Sequence, residues 1–271
     1  MIPAKFDYRE ATSVEEAVAL LAQHGEDAKL IAGGHSLLPL MKLRLASPAV
    51  LVDVGRLRDL AYVRDGGDHV AVGALTRHCD LERAGLAQAE APLLAHVAAG
   101  VGDPQVRHRG TIGGSLAHGD PASDLPAACL ALGATFVVRG PREERLVPAD
   151  AFFQGFLQTA LAPDEMLTEV RVPKQGGATW GWQKFTRRAQ DWAIVGVAAV
   201  RNGTARVALV NMDDRPVRAR GVEEALAAGA SVEEAARRAA DGLSPPTDLN
   251  GDAAYRSHVA GVLVRRALGG T

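Results

Sequence analysis

The sequence predicts an α+β protein, on three observations. A short apolar run, Leu30-Ile31-Ala32, leads through a glycine turn into the helix-like LPLMKLRL. Near the C-terminus two alternating runs flank Asn202-Gly203, a dipeptide that favours a hairpin because both turn residues tolerate positive φ. The segments after that hairpin change to helical spacing, so an antiparallel sheet should carry its helices on one side as a separate C-terminal domain.

Length and composition bound the function classes. At 271 residues the chain can bury a large core and form two or three compact units. A hydrophobic share of 47% with 23% charged residues is ordinary for a globular protein. A net charge of −2 gives no electrostatic case for nucleic acid or an anionic membrane, and aromatics are too few for base stacking. No apolar run reaches membrane-spanning length and MIPAKFDYRE has no signal-peptide core, so the expected location is the cytoplasm. Cys79 and Cys129 are too few for an iron–sulfur cluster, which takes about four thiolates. Two buried free thiols are expected.

In chain order, Ser13-Val14-Glu15-Glu16 reads as a capping box opening a helix with apolar Val14, Ala17, Val18 and Leu21. Leu30–Ala32 is a buried strand, and Pro39 suits the first turn of the next helix. Val50–Val54 is another strand, with Asp53 placed at an edge facing solvent. A subdomain boundary is expected near residues 55–60. His69–Gly73 reads as a strand, TRHCDLERAG as a short helix ending on Gly85, and Ala91–Ala99 as a further helix. Thr135–Arg139 and Met166–Val172 are strands, the second closed by Pro173. Beyond the hairpin, helices are expected at Val222–Ala228 and Ser231–Ala240, the latter capped by Ser231 and Glu234. A final amphipathic helix carries Tyr255, Val259, Val262 and Leu268.

The chemistry concentrates in two glycine-rich stretches. From Arg107 to Pro126, Gly110, Gly113, Gly114 and Gly119 surround Thr111 and Ser115 and close on Asp120 and Asp124. Glycines let backbone N–H groups come close to an anion, and a hydroxyl adds a donor, which suits a diphosphate. Upstream, Ala32-Gly33-Gly34-His35-Ser36-Leu37 has the strand–turn–helix arrangement that aims donors at phosphate. No acidic residue sits at the ribose-reading distance of a Rossmann unit, so a nucleotide held between two subdomains is expected instead. Asp124 reads as a helix N-cap followed by a first-turn proline. Lys184 is either an exposed strand lysine or a cation beside the ligand. The eight histidines show no metal spacing, and neither hydrolase nor P-loop signatures occur. No catalytic acid–base pair and no metal site are expected.

AGGHSLLPLMKLRLASPAVLVDV and GTIGGSLAHGDPASDLPA resemble the two FAD-binding signatures of the medium, flavoprotein subunits of molybdenum hydroxylases, and within them the carbon monoxide dehydrogenase branch. The resemblance runs from IPAKFDY to YRSHVAGVLVRRAL. It implies a two-lobed FAD-binding domain of the PCMH, vanillyl-alcohol-oxidase-like type, with lobes at 1–57 and 58–175, and a C-terminal flavoprotein domain at 176–271. It implies FAD as cofactor, held by Ala32, Gly33, Gly34, His35, Ser36 and Leu37 and by Gly110, Thr111, Ile112, Gly113, Gly114 and Ser115. Val101, Gly102, Asp124 and Leu167 are implied contacts, with Lys184 near the pyrimidine edge and Trp192 over the isoalloxazine. For Asp124 the resemblance implies that it binds a ribose hydroxyl instead of capping the helix, and one carboxylate can do both in part. Relatives carry tyrosine where Trp192 stands and many carry asparagine where Ser115 stands, two departures. His35 is read as a backbone contributor packed beside the cofactor, not as a covalent anchor. The implied partners are a molybdenum-cofactor large subunit and an iron–sulfur small subunit in a heterotrimer that could itself dimerise. The implied role is electron transfer from the iron–sulfur partner through FAD to an external acceptor. The alternatives are a self-contained flavin oxidoreductase and an assembly module without flavin.

Overall fold

A computed structural model describes residues 2–269. The first unit is a three-stranded parallel sheet with two helices. It contains β1 (Asp7–Glu10), α1 (Val14–His24), β2 (Ala28–Ile31), α2 (Leu37–Leu43) and β3 (Val50–Asp53), in strand order β1-β3-β2. Its core gathers Ala17, Val18 and Leu21 of α1 against Val50 and Val52. Ser13 caps α1 by accepting from the Glu16 N–H at 3.1 Å, but the expected capping box is only half made. The Glu16 carboxylate turns back to the Thr12 N–H (2.8 Å) and hydroxyl (2.6 Å), because Thr12 offers it two donors. The edge placement of Asp53 is overturned. It ends the central strand, where its carboxylate accepts from the Tyr8 hydroxyl (2.6 Å) and the Gly55 N–H (2.7 Å).

The second unit is built on a five-stranded antiparallel sheet in the order β4-β5-β10-β6-β7. It runs through β4 (Val63–Asp65), β5 (His69–Gly73), α3 (His78–Arg83), α4 (Gly85–Glu90), α5 (Pro92–Ala99), α6 (Pro104–Arg109), α7 (Ile112–His118) and α8 (Asp124–Leu132). There follow β6 (Thr135–Arg139), β7 (Glu144–Pro148), α9 (Ala149–Phe152), β8 (Phe153–Gly155), β9 (Gln158–Thr159) and β10 (Met166–Pro173). Gly85 does not terminate the TRHCDLERAG helix; α3 ends at Arg83 and Gly85 is the first residue of α4. The glycine-rich stretch from Arg107 to Pro126 spans the end of α6, the whole of α7 and the start of α8.

The third unit is a four-stranded antiparallel sheet, β11 (Thr179–Phe185), β12 (Val195–Asn202), β13 (Thr204–Val210) and β14 (Val217–Arg218), with α10 (Arg220–Ala227), α11 (Val232–Ala236) and α12 (Ala253–Ala267). The hairpin turns at Gly203, whose φ is +72°, with Asn202 paired to Thr204. Ser231 and Glu234 make a complete capping box, but α11 stops at Ala236, short of the expected Ala240. One sheet face packs on α10, α11 and α12. The other face, with Ala198, Val200, Ala208 and Val210, joins the core of the second unit against α8. Every residue of α8 is buried, because the helix is covered on both sides. Arg206 of β13 strengthens this junction by donating to the Leu130 carbonyl (2.8 Å) and pairing with Asp150 (3.2 Å).

Candidate functional site

A cleft of about 1030 Å³ lies where the three units meet. It is lined from the first unit by the turn after β2, from the second by α7 and the starts of α6 and α8, and from the third by Lys184 and Trp192. Of the residues expected to bind a ligand, Ala32, Gly33, Gly34, His35, Ser36, Leu37, Val101, Gly102, Gly110, Thr111, Gly113, Gly114, Ser115, Asp124, Leu167, Lys184 and Trp192 all line it. Ile112 does not. Its side chain is fully buried in the core and its N–H donates to the Thr76 carbonyl.

The two glycine turns touch each other. A side chain on Gly33 would collide with the backbone of Arg109 and Gly110, so glycine is required there for the lobes to close. Gly34 takes φ +77°, a left-handed conformation that turns the chain from β2 into α2. Through this turn the N–H groups of Gly33, Gly34, His35, Ser36 and Leu37 make no hydrogen bond to the described protein. The second turn differs. Gly113 donates to the Ala74 carbonyl (2.8 Å), Gly114 to the Thr111 hydroxyl (3.1 Å) and Ser115 to the Thr111 carbonyl (3.1 Å). Its amides are thus engaged, Gly113 with the segment after β5 and Gly114 and Ser115 with the Thr111 cap of α7, and what α7 offers the cleft is glycine surface and side-chain hydroxyl. Backbone donation to an anion falls to residues 33–37.

Asp124 is not the helix N-cap, since Ser123 holds that position and Asp124 lies in the first turn. Nor is Lys184 an exposed strand lysine. Its ammonium donates to Asp124 at 2.6 Å and to the Gly100 carbonyl at 3.2 Å, and only 14% of its side chain is exposed. Burial pushes the Asp124 carboxyl up to about 6, against the opposing pull of the Lys184 charge. The second carboxylate oxygen of Asp124 is buried and has no partner in the protein, so it is free to accept from a ligand hydroxyl.

His78 was not expected at the site. It lines the cleft at 2% exposure, donates its backbone N–H to the Gly110 carbonyl, and sets its ring Nε2 3.3 Å from the Ser115 hydroxyl. The ring fills the space beside Gly110. Burial, then the charges of Arg77, His35 and Arg107, push its pKa down to about 4, so the imidazole is neutral. Leu167 reaches the cleft at a register shift in β10 between Leu167 and Glu169, and bulges of this kind re-aim side chains. Neither position carries a sequence signal. Among the described residues no group of three His, Cys, Asp or Glu is placed to hold a metal, and no helix is long and apolar enough to cross a membrane.

Free amides over glycines, an unpartnered acceptor, an ammonium and an exposed indole fit a flavin dinucleotide: diphosphate, sugar hydroxyls and ring. A family described as the FAD binding domain in molybdopterin dehydrogenase matches residues 4–175, and the CO dehydrogenase flavoprotein C-terminal domain matches residues 180–271. The chain belongs to this family of FAD-binding subunits of molybdenum hydroxylases, and its cofactor is FAD.

Within the family, it is 46% identical to the carbon monoxide dehydrogenase medium chain of Hydrogenophaga pseudoflava, over 99% of this chain and 97% of that one. It is 37% identical to the 6-hydroxypseudooxynicotine dehydrogenase complex subunit alpha of Paenarthrobacter nicotinovorans, over 99% and 95%. The solved carbon monoxide dehydrogenase of Hydrogenophaga pseudoflava that lacks the Mo-pyranopterin moiety superposes with a TM-score of 0.94 at 47% identity, covering 99% of this chain and 97% of that one.

Proposed function

We propose that this chain carries electrons within a three-subunit molybdenum hydroxylase. It would receive them from an iron–sulfur small subunit, after a molybdenum-cofactor large subunit has oxidised the substrate, and deliver them to an external acceptor. FAD supplies the chemistry for such a junction, because flavin exchanges electrons singly or in pairs. The observation that carries the reading is the cleft itself, where backbone donors, a buried unpartnered acceptor and an ammonium converge.

In this reading residues 33–37 bind the diphosphate through backbone N–H groups, and Gly113 and Gly114 give it room. Ser115 adds a hydroxyl, and the free oxygen of Asp124 accepts from a sugar hydroxyl. Lys184 sits at the pyrimidine edge, where its charge is largely balanced by Asp124. Val101, Gly102 and Leu167 pack on the cofactor, and Trp192 covers the ring. Domain boundaries near residues 57 and 176 belong to the same reading. So does a cytoplasmic location, which the two buried free cysteines support. The relatives act on carbon monoxide and on 6-hydroxypseudooxynicotine by their names, so the substrate is set by the large subunit rather than by this chain.

The test is purification from the native source, with an absorption spectrum beside a denaturing gel. Flavin bands overlaid on iron–sulfur absorbance, with two further chains on the gel, are the expected result. A single chain that turns over an organic substrate by itself would overturn the subunit reading.

A further inference from the structure

Trp192 is the wall of the cleft that has the least holding it. It is 60% exposed, stacks on no aromatic ring among the described residues, and follows the exposed run Arg187–Gln190. Its place is therefore set by its backbone: before it the Asp191 N–H donates to the Arg188 carbonyl, inside the exposed run, at 3.1 Å, and after it the backbone is tied to other elements. Three bonds fix that backbone. The Ile194 N–H donates to the Phe185 carbonyl (2.8 Å), closing the loop, and the buried guanidinium of Arg256 donates to the Ile194 carbonyl. The third is the Ala193 carbonyl, directly after Trp192, which accepts from the side-chain amide of Asn211 at 3.0 Å.

Asn211 is unusual in three respects. It directly follows β13 with φ +61°, a left-handed conformation that non-glycine residues enter at a cost and that asparagine tolerates best. Its own N–H donates at 2.8 Å to the Pro121 carbonyl, in the turn between α7 and α8 of the second unit. Its side chain reaches the opposite way, to Ala193. One residue thus ties the glycine helix that lines the cleft to the loop that carries the indole. Glycine could adopt the backbone but has no donor. Aspartate could adopt it as well, but would set a carboxylate against the Ala193 carbonyl. Asparagine alone among these three supplies both left-handed backbone and donor.

We propose that Asn211 is a positioning residue that sets Trp192 in the cleft wall by clamping the Ala193 carbonyl to the α7–α8 turn. The proposal rests on Trp192 facing the flavin, and it adds what places it there. Asn211 does not line the cleft, so its loss leaves the cofactor's own contacts in place.

The test compares wild type, Asn211→Gly, Asn211→Asp and Trp192→Ala as full-length protein loaded with FAD. Asn211→Gly keeps the backbone turn and the link to Pro121, so it is expected to bind one flavin per chain as wild type does. Its flavin emission should shift from wild type to the level of Trp192→Ala, and the double variant should shift no further. Asn211→Asp should shift it at least as far. A second readout uses no flavin. The Trp192 part of the indole emission, taken as wild type minus Trp192→Ala, should lose anisotropy in Asn211→Gly. Wild-type emission and wild-type anisotropy in Asn211→Gly would overturn the proposal. Failure of wild type itself to take up FAD would count against the flavin reading, and the anisotropy would still decide the role of Asn211.

Discussion

At the scale of single residues, the glycines of the second turn divide into those needed for packing and those needed for the ligand. A side chain on Gly113 would strike the Ala74 backbone, so its replacement unfolds α7 from the sheet whatever binds in the cleft. Gly114 is different, because a side chain there meets only the Thr111 hydroxyl, at 2.8 Å. Gly114→Val is therefore expected to fold, losing about 1 kcal/mol from the disturbed cap, and to lose its flavin because the side chain occupies diphosphate space. Full flavin occupancy of that variant, read from the ratio of flavin to protein absorbance, would refute the assignment. Asp124 makes a pH prediction. Its folded pKa of about 6 lies above the ordinary carboxylate value, so the folded state takes up the proton more readily than the unfolded chain. Ionised Asp124 therefore costs stability above pH about 6, and that stability returns as pH falls from there toward about 4. Relative to Asp124→Asn, flavin-free wild type should gain on the order of 1–3 kcal/mol over that window in denaturant titrations. Parallel curves would mean that Asp124 titrates as an ordinary carboxylate. The glycines were legible in the sequence because their spacing reports a backbone need. The Asp124–Lys184 pair was not, because the partners lie 60 positions apart and meet only when the third unit docks.

Secondary-structure elements were legible where local chemistry decides them. Asn202-Gly203 defines its hairpin and the capping box of Ser231 starts α11, since both signals act within four residues. The central position of β3 and the bulge at Leu167 depend on neighbouring strands, so nothing near Asp53 or Leu167 announces them. The division of labour between the glycine turns was hidden for a similar reason. Thr111 takes the Gly114 and Ser115 amides locally, but the acceptors for Ile112 and Gly113 are the carbonyls of Thr76 and Ala74, brought in by the segment after β5. The β11–β12 connection carries the prediction at this scale. Trp192→Ala is expected to leave flavin binding within a few-fold of wild type, since its exposed indole contributes about 1 kcal/mol of stacking at most, and to alter flavin fluorescence. Unchanged emission would show that Trp192 does not lie over the ring.

For the molecule as a whole, the α+β class and the family were legible from two glycine motifs and one hairpin, but the depth of the junction was not. α8 is covered on one side by its own unit and on the other by β12 and β13, within one continuous core. A fragment of residues 1–175 would leave that face of α8 bare, and the chain would also lose Lys184 and Trp192 from the cleft. Such a fragment is expected to bind hydrophobic dyes, unfold well below the full chain and retain no flavin. A fragment that stays monomeric and takes up FAD stoichiometrically would refute this. The same junction has a consequence for synthesis. The ribosome completes α8 before it reaches the strands that cover it, so a helix that is apolar at every position after Asp124 must wait uncovered while β12 and β13 are made. Residues this exposed in a nascent chain are targets for chaperones. Because Lys184 and Trp192 are made later still than α8, the pocket has no third wall until β11 and the loop after it have been made, and flavin loading follows the third unit rather than nucleating the folding of the first two.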